Sequence, residues 1–282
     1  MKITVLVDNK GSQTIPDLVG EHGLSLLVET DNNKLLFDTG ASDLFARNAR
    51  TLGINLDTVD ALVLSHGHYD HGGGLAAFLS INKHAKVYMG PGALDTHIAK
   101  LFRILSKDIG LNRKALEPFR DRLISVDKMT EIANGAFVLP QIGMLSRTPK
   151  DMGMFYRKTS AGLLKDDFSH EVLLVIQDTQ GITVVTGCAH KGILNIVSAC
   201  EAQFPQVDIK AVIGGLHMMN PATKRLSESK EVIRSIGATL HNDIRVSKLY
   251  AGHCTGEAAF LLLKDQMREK LEPIMVGKQI VV

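Results

Sequence analysis

An apolar run, Leu62-Val63-Leu64, stops at Ser65 and passes at once into His66-Gly67-His68-Tyr69-Asp70-His71-Gly72-Gly73-Gly74. No other stretch constrains the chain as tightly. Three imidazoles and a carboxylate fall within six residues, at the end of what reads as a buried strand. Such groups are the usual ligands of zinc and related divalent ions. Four of them on one short loop cannot all reach a single ion without severe strain. The spacing therefore points to two adjacent ions, each completed from elsewhere in the chain. A strand end is also where a rigid scaffold presents functional loops.

Apolar runs predict strands over Lys2–Asp8, Ser25–Thr30, Lys34–Phe37, Val59–Leu64 and Lys86–Met89, with a hairpin turn at Asp31-Asn32-Asn33. Helical spacing predicts a helix from a Ser42 cap to about Leu52, and another over Gly73–Leu79. Further along, strands are predicted over Glu171–Gln177, Gly181–Thr186, Asp208–Ile213, Ser247–Tyr250 and Gln279–Val282. Helices over about 192–202, Ser227–Ile236 and Glu257–Glu269 alternate with them. Strand hairpins followed by alternating strands and helices argue for two sheets with helices on their outer faces.

The segment from about 91 to 160 differs. It shows helical spacing over Thr96–Ser106 and Asn112–Phe119, then weak strands, and carries 12 Lys/Arg against 7 Asp/Glu. It reads as an insertion or cap beside the site, or as a solvated helical face.

Several apolar runs end alike. Asp38 closes one, the histidine loop another, Cys188 and His190 a third, His253 a fourth and His217 a fifth. Strand ends that converge are where open α/β sheets place their chemistry. With 282 residues, 45% of them hydrophobic, the chain can bury a large core as one α/β domain or two smaller ones. A net charge of +2 exerts no global pull on nucleic acid or membrane. Three cysteines without a C-x-x-C pair are no disulfide framework and suit a reducing cytoplasm. The N-terminus reads as a strand rather than a secretory leader, and no run approaches the ~18 apolar residues of a membrane span.

Four strings, in order, are Phe37-Asp38-Thr39-Gly40, His66-x-His68-x-Asp70-His71, Thr186-Gly187-Cys188 and Ala251-Gly252-His253. On these the chain resembles the metallo-β-lactamase superfamily over nearly its whole length. Glu21-His22-Gly23-Leu24-Ser25, Gly214-Gly215-Leu216-His217 and Gly252-His253-Cys254-Thr255-Gly256 make it similar to one subgroup. These are the 7,8-dihydropterin-6-yl-methyl-4-(β-D-ribofuranosyl)aminobenzene 5′-phosphate synthase-like proteins. The resemblance implies a four-layer αββα sandwich of the α/β (α+β) class, one domain over 1–282 with the cap inserted. It implies a one- or two-metal site, zinc foremost, with Mn2+ or Fe2+ as alternatives. It also implies that His66 and His68 bind the first ion and that Asp70, His71 and His253 bind the second. Asp38 then supports the histidine loop through hydrogen bonds and is not itself a ligand.

The chain departs from the family pattern at Cys188, where superfamily hydrolases usually carry an Asp bridging both metals. It reads as a bridging thiolate or as a small buried residue at a tight turn. The third ligand of the first ion is also displaced. His170 is the nearest upstream histidine but stands in a poorly matching context, and His190 is the alternative. His217 reads as a general acid or substrate contact, and His22 as a rim residue. Arg147 and Arg157 are candidate anion contacts. Phe102, Phe155 and Tyr156 are candidate ring contacts from the cap. Tyr69, Cys200 and Cys254 read as packing, with Tyr69 pointing away from the ions, and His84 and His97 read as surface residues.

Together these readings imply a metal-dependent hydrolase or related transferase with a binuclear site. A metal-bound hydroxide would attack an ester, thioester or phosphoester, with Asp70 and His217 as catalytic groups. The expected substrate is a small, anionic molecule bearing a pterin or a phosphate. The alternatives are a non-catalytic metal- or ligand-binding protein and a metal-dependent oxidoreductase. His68 stands where the superfamily's flavo-diiron oxidoreductases typically carry Glu, which favours zinc-type hydrolysis. The cap's local charge gives thin support for nucleic-acid binding, and an exposed face there could pair two subunits as a homodimer.

Overall fold

The runs read as strands pair into two seven-stranded sheets. The structure is a computed structural model that describes residues 1–101, 105–221, 223–242, 244 and 246–282. In the first sheet, Gln279–Val281, Lys2–Val7, Ser25–Glu29, Lys34–Phe37, Ala61–Leu64, Lys86–Met89 and Leu123–Ser125 lie side by side. In the second the order is Leu271–Pro273, Lys248–Gly252, Ile209–Gly215, Gly181–Val185, Leu173–Asp178, Ala136–Leu139 and Thr130–Ala133.

Alternation along each strand decides which layer a side chain enters. Leu35 and Phe37 face the opposite sheet, while Leu36 faces the outer helices. Ala61 and Val63 face inward, Leu62 and Leu64 outward. On the second sheet Leu174 and Ile176 meet the first sheet, and Leu173 and Val175 meet helices. Phe45 and Ala49 of the helix Leu44–Thr51, with Phe78 and Leu79 of Leu75–Ile81, cover the first sheet. Ile193–Gln203, Lys230–Asn242 and Glu257–Met267 cover the second. Apolar residues on both faces of both sheets require four layers, and the αββα sandwich follows. Each fully buried Leu, Ile or Phe contributes about 1.5–3 kcal/mol, which outweighs the weak propensities at element ends.

The segment 91–160 folds differently from its spacing. Strands Thr96–Leu101 and Leu105–Asp108 replace the predicted helix Thr96–Ser106 and pair with each other. Through Phe155–Thr159 they join Gly162–Lys165 in a separate four-stranded sheet. Pairing with a distant strand overrides a helical pattern this weak. Asn112–Phe119 yields only the short helix Arg113–Leu116, passing into a 3₁₀ turn over Glu117–Arg122. Leu123–Ser125, Thr130–Ala133 and Ala136–Leu139 are outer strands of the two main sheets. The segment thus contributes strands both to the small sheet and to the outer edges of the two main sheets. Phe102 lies outside the described residues. Among the described residues, no helix is long and apolar enough to cross a membrane.

Parallel pairing positions the site. Lys34–Phe37 runs parallel to Ala61–Leu64. In the other sheet Gly181–Val185, Ile209–Gly215 and Lys248–Gly252 also run parallel. The carboxyl ends of parallel neighbours share one edge of a sheet, so Asp38 and His66 emerge together, as do Cys188, His217 and His253.

Candidate metal centre

Asp38 leaves its strand with φ at 58° and turns its carboxylate under the histidine loop. Oδ1 accepts the Ser65 backbone N–H at 2.7 Å, and Oδ2 accepts the Ser65 hydroxyl at 2.7 Å. His71 Nδ1 donates to the same Oδ2 at 2.6 Å. Ser65 Oγ, having given its proton to Asp38, accepts from His66 Nδ1 at 2.8 Å. These bonds place the ring protons on Nδ1 and turn each Nε2 toward the centre. His66 Nε2 and His68 Nε2 are buried with no hydrogen-bond partner among the described residues. Gly67 separates them because nothing larger fits. A Cβ there would lie 2.3 Å from the Ala93 carbonyl oxygen and 2.6 Å from His97 Nε2.

His190 completes this first group, its donor atom lying within 4.8 Å of those of His66 and His68. The turn that carries it has Ala189 at φ 58°. Glu171, wholly buried, accepts the backbone N–H groups of His190 at 2.7 Å and Lys191 at 2.9 Å. The Phe168 ring stacks on His190 at 4.1 Å, and both His190 nitrogens lack hydrogen-bond partners among the described residues. Burial, the largest cause in each case, holds His66, His68 and His190 well below the ordinary histidine value. Three neutral imidazoles with bare nitrogens facing one space fit a divalent cation.

The second group faces the first across the cleft floor. His71 Nε2 and His253 Nε2 are 3.2 Å apart. His253 Nδ1 donates to Asn9 Oδ1 at 3.0 Å, and the His253 backbone N–H donates to Asp8 Oδ1 at 2.8 Å. Two Nε2 atoms this close need a shared proton or a cation between them. Asp70 Oδ2 lies 3.5 Å from His253 Nε2 and 3.9 Å from His71 Nε2. A tetrahedral ion with bonds of about 2.0–2.1 Å has ligand atoms about 3.3 Å apart, so the three atoms outline one face of such a polyhedron. Cys188 Sγ adds a fourth donor 3.1 Å from His71 Nε2. His22 Nε2 stands at the rim, 3.3 Å from Asp70 Oδ2. Burial opposes the charge of Asp70, yet His71, His22 and His253 hold it well below the usual carboxylate range.

Both groups open on a cleft of about 560 Å³. His217 lines it, its ring 4.2 Å from His190 and its Nε2 3.1 Å from Asp151 Oδ1. Burial disfavours its charge, but Asp151 and Cys254 raise it to about 10, which favours its protonated form. Burial also opposes ionisation of both cleft thiols. Cys188 is pushed well above the ordinary value, while contact with Cys188 and the charges of His253 and His217 hold Cys254 well below it. Asp38, Ala189, His217 and His253 all have left-handed backbone. Such conformations cost roughly 1–3 kcal/mol each and gather where function over-determines the chain.

Several residues stand elsewhere than the sequence suggested. Tyr69 lines the cleft instead of pointing away. His97 is fully buried, not at the surface, and donates from Nδ1 to Asp166 at 2.9 Å and from Nε2 to the Gly92 carbonyl at 3.1 Å. His170 Nδ1 accepts the Gly67 N–H at 3.1 Å and its Nε2 donates to Asp166 at 3.2 Å, so both nitrogens are engaged. Arg157 is held between Asp95 at 3.6 Å and Asp167 at 3.4 Å and does not line the cleft. Arg147 reaches buried Glu228 at 3.3 Å and also stands outside the cleft. Lys107 and Lys224 line it, and no arginine does, among the described residues. Tyr156 packs between Lys100 and Lys165, each 4.2 Å from its ring, whereas Phe155 forms part of the cleft wall. Cys254 lines the cleft rather than only packing, while Cys200 lies in the apolar layer and His84 is exposed.

The groups that sequence reasoning missed are Asp8, Asn9, Asp151, Asp166, Phe168 and Glu171. Only Asp8-Asn9, at the end of an apolar run, carried the same local signal as Asp38.

The sequence model of the metallo-beta-lactamase superfamily matches residues 18–130. The chain is 27% identical to the 7,8-dihydropterin-6-methyl-4-(beta-D-ribofuranosyl)-aminobenzene-5′-phosphate synthase of Methanocaldococcus jannaschii, over 99% of this chain and 95% of that one. The crystal structure of Tm1679, a metal-dependent hydrolase of the beta-lactamase superfamily, superposes with a TM-score of 0.82 at 30% identity, covering 100% of this chain and 99% of that chain. Zn2+-bound PqqB from Methylobacterium extorquens shares the fold, with a TM-score of 0.60 at 14% identity over the whole of both chains. Likeness of this extent, in sequence as well as in backbone, means that the chain belongs to the metallo-β-lactamase superfamily.

Proposed function

We propose that the protein is a metal-dependent hydrolase, or a transferase using the same chemistry, acting on a small anionic ester, thioester or phosphoester. The observation that carries this reading is two adjacent groups of buried donor atoms on the floor of one cleft. His66, His68 and His190 would hold the first ion, and Asp70, His71 and His253 the second, with Cys188 and His22 in reach. Zinc suits the nitrogen-rich set, with Mn2+ or Fe2+ as alternatives. Ions bound there supply Lewis acidity and lower the pKa of water so that a nucleophile exists at neutral pH.

The chain's own groups do the rest. Asp38 and Asn9 orient His71 and His253 through their Nδ1 atoms. His217, kept protonated by Asp151, donates a proton to the leaving atom. Asp70 remains ionised at the cleft floor. Lys107 and Lys224 draw an anionic substrate inward, and Phe155, Tyr69 and Met219 give it apolar walls. The likeness to a synthase named for a pterin and a ribose phosphate extends the proposal to a pterin-bearing phosphate compound. The three free cysteines suit a reducing, cytoplasmic location.

The test is metal content and turnover of simple esters, thioesters and phosphodiesters, for wild type and for the double variant His66→Ala/His68→Ala. The variant should lose about one ion per chain and its turnover. Unchanged turnover in the variant would overturn the proposal. A wild type that binds metal but turns over none of these favours a binding protein, the reading that Cys188 in place of the bridging Asp supports.

A further inference from the structure

The cleft has far more room than its floor chemistry needs. Its volume is about 560 Å³, whereas a water claims about 30 Å³. An organic body much larger than one reacting group therefore fits above the donor atoms. The lining is graded by depth. His68, Asp70, His190 and His253 on the floor are buried. Next come Tyr69, Ala99, Ile109, Met154 and Met219, all half-buried, with the buried Phe155. Leu105, Lys107, Pro221 and Lys224 are exposed at the mouth. Asp70 is the one carboxylate on this surface among the described residues.

Lys107 and Lys224 reach the mouth from different parts of the fold, and backbone hydrogen bonds tie each part to the floor. Lys107 lies on the strand Leu105–Asp108. Directly after that strand, the Ile109 carbonyl accepts the Tyr69 N–H at 2.8 Å, next to Asp70. The Lys107 ammonium stands 5.2 Å from the Tyr69 ring centre. Lys224 sits in a turn where its N–H donates to the Asn220 carbonyl and the Asn220 N–H donates to the Arg225 carbonyl, each at 2.9 Å. The chain enters that turn through Met218 and Met219, whose N–H groups donate to the Cys254 carbonyl at 3.1 and 3.0 Å, next to His253. Both lysines are thus anchored at a set height above the floor. Among the described residues neither ammonium is in an ion pair, whereas Arg147 and Arg157 are neutralised by carboxylates.

A group bound by the ions needs no lysine, because the ions themselves offset its charge. Two free cations set apart from them by an apolar collar call for a second anion on the same substrate. Lysine serves phosphate as a compact point charge.

We propose that the substrate stands on end in the cleft. The bond that reacts lies at the floor, a ring-sized apolar body fills the collar, and a phosphate at the far end meets Lys107 and Lys224. In a hydrolysis, water supplies a hydroxyl to the acyl carbon and a proton to the departing oxygen or sulfur. The phosphate is a handle and leaves unaltered on one product. The class narrows to phosphate-tagged esters and thioesters, and simple phosphomonoesters are poor substrates. This rests on the hydrolase reading above.

The experiment is calorimetric titration of the zinc-loaded protein with aryl hydroxamates. The hydroxamate chelates an ion and the benzene ring is the body. The neutral probe ends in a para-hydroxyalkyl arm, and its partner carries the same arm as a phosphate monoester, with methyl, propyl and pentyl arms compared. At the arm length that fits, the phosphate should tighten binding to wild type about tenfold or more, and less at high salt. Lys107→Ala/Lys224→Ala should lose that advantage and keep its affinity for the neutral probe. Both lysines are exposed, so this variant should melt as the wild type does. Lys158→Ala, which removes an exposed lysine of the small sheet outside the cleft, should bind both probes as wild type does. No advantage at any arm length would overturn the inference. An advantage undiminished in the double variant would overturn it too, since the phosphate would then sit on the ions. Zinc bound but no probe bound would also overturn it and leave the hydrolase reading standing. A protein that takes up no zinc would defeat that reading itself, and this one with it.

Discussion

Asp38 Oδ2 and His71 Nδ1 stand 2.6 Å apart with both side chains sealed from solvent. This one contact ties the end of the strand Lys34–Phe37 to the histidine loop and selects the nitrogen that His71 presents to the cleft. Ser65 donates to the same carboxylate and accepts from His66 Nδ1, so Asp38 aligns donors of both groups, one directly and one through Ser65. Asp38→Ala should weaken metal binding about 10–100-fold. It should also destabilise the fold by about 3–5 kcal/mol, because a buried partner is left uncompensated. Denaturant unfolding and a competition titration with a chelator measure the two effects. Metal affinity unchanged in a folded variant would contradict the role.

Asn9 should matter to one ion only. Its side-chain oxygen accepts from His253 Nδ1, and its amide reaches the His253 carbonyl at 3.1 Å. Among the described residues, no hydrogen bond connects it to His66, His68 or His190. Asn9→Ala should therefore lower occupancy of the second position about 10-fold or more and leave the first filled. Metal analysis at limiting zinc distinguishes this from a loss shared by both.

Gly67 should tolerate no side chain. A Cβ would meet a backbone carbonyl, that of Ala93, at 2.3 Å, and backbone cannot swing aside. Gly67→Ala should cost about 1–3 kcal/mol. Adding His97→Ala should not restore stability, since the carbonyl contact remains. A double-mutant cycle in urea checks this, and rescue by the second change would show that the His97 ring is the obstacle.

Acid should act through the buried group behind the site. Burial opposes the charge of Asp166, but hydrogen bonds from His170 and His97 hold its carboxyl far below the usual range. Burial likewise lowers His170. Unfolded, these groups titrate near about 3.9 and about 6.5, so the unfolded chain binds more protons in acid than the folded one. Stability is then full above about pH 6.5. It declines first as unfolded His170 protonates, and further below about pH 4 as unfolded Asp166 does. Thermal melts from pH 8 to pH 3 should show both declines. Asp166→Asn should melt lower at pH 7 and show a shallower decline below about pH 4, the remainder coming from other carboxylates held low in the fold such as Asp70, and an unaltered profile there would count against the assignment.

Metal removal should destabilise the wild type measurably. Ligand binding at 100 times Kd contributes about 2.7 kcal/mol, so chelation should lower the melting temperature and restored zinc should raise it. Histidine nitrogens that hold no ion would leave the melt unmoved.

What could be read along the chain was local. The period-two pattern of Lys34–Phe37 and Ala61–Leu64 sorts each side chain to one face whatever the partner strand is, so the layers were legible before the fold. His66, His68, Asp70 and His71 needed only their six-residue spacing. The small sheet was not legible. Thr96–Leu101 becomes a strand because Phe155–Thr159 pairs with it, and no short window contains both. His97 reads as a surface residue until the fold brings Asp166, 69 residues away, to its Nδ1.

The sequence by itself determined the alternation of strands and helices, the ligand loop and the polar ends of the parallel strands, all set by neighbours along the backbone. Tertiary structure alone decided which of those ends meet. It brought Asp8 and Asn9 to His253 and Asp151 to His217. It also set Cys254 against Cys188 and turned Arg157 toward Asp95 and Asp167. The physical reason is that donor geometry and burial depend on distances across the sandwich, which chain order does not encode.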